Sequence, residues 1–187
     1  WQIIIQSSSY WGLVEIIRKY QVFISSTYND LINDRQAAVE AILSAGHIPA
    51  GMELFKSGKS QLDTIKKWID DSDIFMIILG ARYGSIDEES GKSYTQLEYE
   101  HAMASKKPII SLVLGDDGKE ERVKKHGSAI LEQNDTVKYN QFKKQITSKI
   151  CSFYSTLEDL KYRIVAELSA IDKQNNLVGW IRADYYL

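Results

Sequence analysis

The chain has 187 residues, a formal net charge of −2 and 44% hydrophobic residues, enough for one domain with a sizeable core. A net charge this close to neutral argues against a general nucleic-acid-binding protein, because such proteins are usually basic. The single cysteine, Cys151, excludes an intramolecular disulfide and fits a reducing, cytoplasmic compartment.

The N-terminal segment, residues 1–19, is apolar in two patches that are separated by polar residues 6–9. It has no basic leader and no small-residue cleavage site, so it is a poor signal peptide. No stretch of the chain approaches the roughly 18 apolar residues of a membrane span, and we expect no membrane partner. We treat residues 1–19 as an N-terminal extension of uncertain origin and residues 20–187 as the folded domain.

Short apolar runs bounded by turn residues predict buried strands, and the amphipathic segments between them predict helices. The predicted strands cover residues 21–26, 47–50, 73–79, 108–114 and 149–153. The predicted helices cover residues 31–43, 60–71, 95–105, 137–146 and 156–171. The charged, glycine-containing stretch 115–134 is typical of a mobile, partly irregular connection. Cys151, in the last predicted strand, is more typical of a small buried residue than of a nucleophile.

Strands that alternate with helices at this spacing indicate a parallel sheet with right-handed crossovers. We therefore predict a flavodoxin-like, three-layer α/β domain whose five-stranded parallel sheet has the order 2-1-3-4-5. The side chains expected in its core are Phe23, Ile24, Phe75, Ile77, Ile78, Ile110, Leu112 and Val113.

Familiar catalytic and cofactor-binding motifs are missing from the sequence. It contains no Walker loop, no G-x-G-x-x-G and no G-x-S-x-G. His47, His101 and His126 lack metal-ligand spacing, and one cysteine makes a structural zinc site improbable. We expect neither a metal nor a resident cofactor.

Three polar segments are predicted to meet at the carboxyl edge of the sheet, where open α/β sheets bind ligands. They are residues 25–28 after the first strand, Arg82 and Tyr83 after the third strand, and Glu98 in the following helix. Arg82 would be a charge partner for Glu98, Glu100 or Asp87.

A structural interpretation of the same residues remains open. The hydroxyl residues 25–28 could be a simple N-cap cluster. Thr95 and Glu98 have the spacing of a capping box, which would turn the carboxylate back onto the helix start.

Several motifs, in order along the chain, carry a family resemblance. They are Val22-Phe23-Ile24-Ser25-Ser26-Thr27-Tyr28-x-Asp30-Leu31, Gly46-His47-x-Pro49-x-Gly51-Met52-Glu53, Asp71-Ser72-Asp73, Arg82-Tyr83-Gly84-Ser85, Ser93-Tyr94-Thr95-x-x-Glu98-Tyr99 and Gly179-Trp180-Ile181-Arg182-Ala183. The chain resembles the bacterial domain-of-unknown-function family that opens with V-F-I-S-S-T-Y-x-D-L and closes near G-W-x-R. That family is regarded as a distant relative of the Toll/interleukin-1 receptor (TIR) domains.

The TIR resemblance implies a role for Glu98. The segment Tyr94-Thr95-x-x-Glu98-Tyr99 is similar to the TIR segment W-C-x-x-E-L, which carries the glutamate of those members that cleave NAD; Thr95 stands where those members have cysteine. Glu98 is then the candidate catalytic residue. The candidate ligand-binding residues are Ser25, Ser26, Thr27, Tyr28, Glu53, Phe55, Arg82, Tyr83, Ser93 and Tyr94.

The loop 51–58 matches the position of the TIR loop that contacts neighbouring subunits and gates the pocket. Its apolar side chains, Met52, Leu54 and Phe55, would contact a second copy of the chain or cover the ligand. A charged residue at position 55 should therefore reduce self-association or activity.

Two functions stay open at this stage. The first is an effector enzyme of bacterial defence that hydrolyses the N-glycosidic bond of NAD or a related nucleotide, which would be its substrate rather than a cofactor. The alternative is a non-catalytic module, N-terminal to other domains, that self-associates or senses a nucleotide. The expected partners are therefore a second copy of the chain and a nucleotide, with no direct contact to nucleic acid.

Overall fold

The secondary structure alternates strand and helix along the chain. A computed structural model describes residues 3–7, 10–14, 17–51, 59–174 and 177–182, with the backbone alone described for 3–7, 10–14 and 59–61. The strands are β1 (Ile3–Ser7), β2 (Tyr10–Val14), β3 (Gln21–Ser26), β4 (Ile48–Gly51), β5 (Ile74–Leu79), β6 (Ile109–Leu114) and β7 (Ser152–Tyr154). The helices are α1 (Ile32–Ser44), α2 (Lys59–Asp71), α3 (Tyr94–Ala104), α4 (Asp116–His126), α5 (Thr136–Thr147) and α6 (Leu157–Gln174), with a short 3₁₀ turn at Ser128–Ile130.

The main sheet has five strands in the order β4-β3-β5-β6-β7, and every pairing in it is parallel. Counted within this sheet, the order is 2-1-3-4-5, so the predicted flavodoxin-like architecture is confirmed. β1 and β2 form a separate two-stranded antiparallel sheet.

The core is divided between the two faces of the sheet, because successive residues of a strand point to opposite sides. Val22 and Ile24 of β3 pack with α1 and α6 on one face. Phe23 packs on the other face, with Ile65 of α2 and Tyr99 of α3. All the predicted core side chains are buried, and every residue of β5 is buried, as expected for a central parallel strand covered on both sides.

The stretch 115–134 differs from the prediction. Residues 116–126 form α4 instead of an irregular connection. Apolar periodicity could not reveal this helix, because Val123 is its only large apolar residue. The charge order does indicate it, since Asp116 and Asp117 lie in the first turn and Lys124 and Lys125 in the last, which complements the helix dipole.

The last strand is shorter than predicted. α5 extends to Thr147, so β7 begins only at Ser152. Cys151 precedes the strand and packs, partly buried, against the apolar cluster on the α3 side. Its burial raises the pKa of the thiol, which agrees with a packing role.

Segments near the two ends of the domain meet at the amino edge of the sheet. Lys19 and Trp180 form an antiparallel bridge, with Lys19 N–H donating to the Trp180 carbonyl at 2.8 Å. Arg18 Nη1 donates to the Leu177 carbonyl at 2.8 Å. Arg18 and Lys19, which the sequence assigned to the extension, therefore contact the closing segment of the domain.

Candidate functional site

Glu98 lies on α3 and is buried against the end of β3. The Ser25 hydroxyl donates a 2.5 Å hydrogen bond to Glu98 Oε2, and only 2% of Glu98 is exposed. This contact joins residues 73 positions apart in the chain. The carboxyl end of β3 and the first turns of α3 therefore meet at one point, on the α2/α3 side of the sheet.

The capping-box interpretation of Glu98 is wrong. α3 begins one residue earlier than predicted, at Tyr94, and its N-cap is Ser93, whose side chain accepts a hydrogen bond from the Gln96 backbone N–H. Because Ser93 already caps the helix, the Glu98 side chain is free to reach Ser25. Sequence spacing alone could not distinguish Ser93 from Thr95 as the cap.

The environment of Glu98 disfavours its charged form. Burial raises the pKa of Glu98 to about 7, although the hydrogen bond from Ser25 and the positive charge of Arg35 act in the opposite direction. A carboxyl group with such a pKa changes protonation state near neutral pH. Carboxyl groups with strongly shifted pKa values are concentrated at functional sites.

A buried arginine, which the sequence analysis missed, lies on the opposite face of β3. Arg35 of α1 is 4% exposed, and its Nη1 donates to the Ser26 hydroxyl at 2.8 Å. Consecutive serines therefore bind side chains on opposite faces, Ser25 the Glu98 carboxylate and Ser26 the Arg35 guanidinium. Arg35 shares its helix face with apolar residues, so periodicity alone assigned it to an ordinary amphipathic helix.

The loops after β3 and β5 approach the start of α3 closely at Gly84. This residue has a φ of +94°, which favours glycine. A Cβ at this position would lie 2.8 Å from Thr27 Cγ2 and 3.7 Å from Thr95 Oγ1. The loop after β3, the loop after β5 and the first turn of α3 therefore pack closely together at Gly84.

Tyr83 and Arg82 have different environments. Tyr83 is buried, and its hydroxyl donates to Gln96 Oε1 at 2.6 Å. Arg82 is exposed. The pKa of the Glu132 carboxyl is lowered against the opposing effect of burial, chiefly by backbone hydrogen bonds from Tyr83, Asp135 and Asn134, and the Arg82 charge adds a smaller contribution. Glu98 and Glu100 instead have Ser25 and Lys92 as their polar partners.

The remaining predicted site residues are dispersed. Tyr28 is 59% exposed, whereas Thr27 and Ser93 are buried. Tyr94 is partly buried, and its backbone N–H donates to the Ser85 carbonyl. Glu53 and Phe55, together with Met52 and Leu54, lie outside the described residues.

A cavity of about 880 Å³ opens at the same edge of the sheet but on its α1/α6 face. The residues that line it come mainly from the β3–α1 connection, the first turn of α1, α4 and the β7–α6 turn, and none of the predicted site residues is among them. Arg122 of α4 projects into this region and donates two hydrogen bonds to the buried Asp34 carboxylate, at 3.1 and 2.7 Å. Neither residue was predicted as a site residue from the sequence, because their pairing spans 88 positions.

No group of three or more His, Cys, Asp or Glu side chains among the described residues is arranged to hold a metal ion. Within the same part of the chain, no helix combines the length and apolar character needed to cross a membrane.

Comparison with known families assigns the domain. The family described as "Domain of unknown function (DUF4062)" matches residues 21–169. The chain belongs to this family. The match includes the β3 segment with Ser25 and the α3 segment with Glu98, and it extends into α6. A comparison with curated proteins finds no match to the chain.

Proposed function

We propose that this DUF4062 domain is a TIR-like effector domain that hydrolyses the N-glycosidic bond of NAD or a related nucleotide, with Glu98 as the catalytic carboxylate. The observation that carries the proposal is the buried Glu98 carboxyl group at the carboxyl edge of the sheet, with the neutral Ser25 hydroxyl bonded to it at 2.5 Å. A glutamine could make the same hydrogen bond without the cost of burying an ionisable group. A residue that costs stability where a neutral one would fit is typical of a functional site.

Glu98 would act by electrostatics. In NAD the bond between ribose C1′ and the nicotinamide nitrogen breaks, and its electron pair goes to that nitrogen, which becomes neutral. The ribose then carries positive charge, which an ionised carboxylate close to it stabilises. Water adds to C1′ and releases a proton, so that the products are ADP-ribose and nicotinamide.

The pKa of Glu98 sets an expected pH dependence for this reaction. The ionised form increases as the pH rises through about 7, so the rate of nicotinamide release should rise over the same range. The substrate must also reach a side chain that is 2% exposed. Binding must therefore displace the groups that cover Glu98, and ribose hydroxyls would replace Ser25 as its partners.

Nicotinamide release tests the proposal. Concentrated protein is incubated with NAD, and the products are separated by chromatography for the wild type, Glu98→Gln and Glu100→Gln. Glu100→Gln is the matched control, because it makes the same change on the same helix at a partly exposed residue paired with Lys92. We expect Glu98→Gln to abolish release and Glu100→Gln to retain it. If the wild type releases no nicotinamide at any protein concentration, the proposal that the domain is an enzyme is refuted.

A non-catalytic module is the second candidate, and the closed environment of Glu98 favours it. A carboxyl group that is 2% exposed and bonded to Ser25 could simply join β3 to α3. This candidate predicts self-association or nucleotide binding without nicotinamide release. Light scattering over a range of protein concentrations measures self-association, and calorimetric titration with NAD measures nucleotide binding, both on the protein used in the cleavage assay.

A further inference from the structure

The cavity on the α1/α6 face of the sheet has the position and size of a small-molecule site. Its volume of about 880 Å³ falls within the range of ligand pockets, about 300–1,000 Å³. It lies beyond the carboxyl ends of the parallel strands, where the loops after β3 and β5 contribute Asp30 and Ala81. The strand order reverses between β3 and β5, and such switch points are where open α/β sheets bind ligands.

Arg122 is held in a defined orientation in the wall of this cavity. The carboxylate of Asp34, which is 2% exposed, accepts one hydrogen bond from each terminal nitrogen of Arg122. The Tyr154 hydroxyl donates to the same carboxylate at 2.6 Å, and the guanidinium lies 6.0 Å from the Tyr154 ring centre. A guanidinium has five N–H donors, so donors remain for an anion in the cavity.

The position of α4 over the cavity depends on Gly118. A Cβ at this residue would lie 2.8 Å from the Ser155 carbonyl oxygen and 2.8 Å from Leu114 Cδ1. The absence of a side chain lets α4 pack closely against the β7–α6 turn. This contact brings Arg122, one helical turn further along α4, to the cavity wall.

Other positive groups surround the cavity. Lys124 and Lys125 also line it, and neither forms an ion pair with any residue that the structure describes. The first turn of α1 and the start of α6 line it too, and helix N-termini attract anions through their unpaired N–H groups. The N-cap of α1 is Leu31, which provides no side-chain acceptor for those groups.

The remaining lining combines apolar side chains with the carboxyl groups of Asp30 and Glu121. Ile32, Leu114 and Leu157 supply apolar surface. Asp30 is a carboxyl group whose pKa is raised by burial, and it can exchange hydrogen bonds with sugar hydroxyls. A lining that combines cationic groups, carboxyl groups and apolar surface matches a sugar phosphate or nucleotide.

We propose that this cavity binds a phosphorylated small molecule of the nucleoside monophosphate type, with its phosphate between Arg122, Lys125 and the N-terminus of α1. Asp30 binds the sugar hydroxyls. The site is separate from Glu98, because Asp34 and Arg122 lie on the α1/α6 face and Ser25 and Glu98 on the opposite face. Binding here does not depend on any cleavage of NAD.

Isothermal titration calorimetry at low ionic strength tests this site, with AMP, adenosine and inorganic phosphate as probes. AMP should bind, and adenosine should bind at least about tenfold more weakly, because it lacks the charge that Arg122 and Lys125 recognise. Inorganic phosphate should compete with AMP at higher concentration. Similar affinity for AMP and adenosine, or no heat with AMP at millimolar concentration, would overturn the proposal.

Variants locate the bound molecule. Arg122→Gln combined with Asp34→Asn avoids an unpaired buried charge and should weaken AMP binding at least about tenfold. Lys125→Gln alters an exposed residue, so it tests the site even where the double variant does not fold, and it should weaken binding about threefold or more. Lys67→Gln on α2 is the matched control and should bind as the wild type does. Unchanged affinity in Lys125→Gln and the folded double variant would place AMP elsewhere and refute this site.

Discussion

Two buried carboxylates, Glu98 and Asp34, lie near the same edge of the sheet on opposite faces. Asp34 accepts hydrogen bonds from both terminal nitrogens of Arg122 and from the Tyr154 hydroxyl. Glu98 has the Ser25 hydroxyl as its hydrogen-bond donor, and burial raises its pKa to about 7. Asp34 is thus paired with a cation in direct contact, whereas Glu98 has a neutral partner in direct contact and the charge of Arg35 further away.

This difference in partners indicates a structural role for Asp34 and a chemical role for Glu98. The Asp34–Arg122 pair joins α1 to α4 and orients the arginine, whose pKa rises because its contacts with Asp34 outweigh the opposing effect of burial. Glu98 can change its charge near neutral pH. We therefore expect substitution of Asp34 to affect mainly stability, and substitution of Glu98 to affect mainly the pH dependence of stability and activity.

The largest effect is expected for Asp34→Ala. Removing this carboxylate leaves the Arg122 guanidinium, whose side chain is 21% exposed, without its charge partner, which should cost about 3–5 kcal/mol of unfolding free energy. The double variant Asp34→Asn, Arg122→Gln should lose much less, because neither charge remains. Urea denaturation of both proteins measures the difference. Equal losses would mean that the ion pair itself, rather than the unpaired charge, determines stability.

Glu98→Gln should change how stability depends on pH. The folded pKa of about 7 lies above the ordinary value of 4.5, so the wild type loses stability as the pH rises from 4.5 to 7, because the unfolded state releases its proton first. The shift corresponds to about 3 kcal/mol. As the pH rises from 4.5 to 8, the unfolding free energy of Glu98→Gln, measured by urea denaturation, should therefore increase by about this amount relative to that of the wild type. If the unfolding free energies of the two proteins change in parallel with pH, the Glu98 carboxyl group titrates normally in the folded protein.

Ser25→Ala should destabilise the protein by about 1–3 kcal/mol, since it removes the hydroxyl bonded to buried Glu98. It should also raise the pKa of Glu98 further, because the hydrogen bond from Ser25 favours the ionised carboxylate. The pH at which stability stops falling should then move above 7 in denaturation experiments. Ser25→Thr, which keeps a hydroxyl, is the control. A transition at unchanged pH in Ser25→Ala would contradict the assigned hydrogen bond.

Tyr154→Phe is expected to have the smallest effect, about 1 kcal/mol. It removes one hydrogen bond from Asp34 but leaves both bonds from Arg122 in place. Thermal or urea unfolding of Tyr154→Phe and Ser25→Ala, measured side by side, compares the stability that each variant loses. A larger loss in Tyr154→Phe than in Ser25→Ala would mean that Asp34 depends on the tyrosine more than on the arginine.

The fold could be predicted from sequence because its signals are local. The run Ile74–Leu79 is apolar throughout, which indicates a strand covered on both faces wherever it lies in the sheet. Turn residues and amphipathic periodicity then limit the helices to within a few positions. α4 lacked both signals, since its charged residues leave almost no apolar face, and its charge order was the one indication of a helix.

The sequence by itself determined the sheet, its strand order and the presence of polar residues at its carboxyl edge. Tertiary structure decided which of those residues touch, because the contacts of Glu98 with Ser25 and of Asp34 with Arg122 join positions 73 and 88 residues apart. It also decided that Ser93 caps α3, which frees Glu98 from the capping role that its spacing allowed. Local patterns report the propensity and the face of each element, whereas hydrogen-bond partners and pKa values depend on the distances and burial that only packing creates.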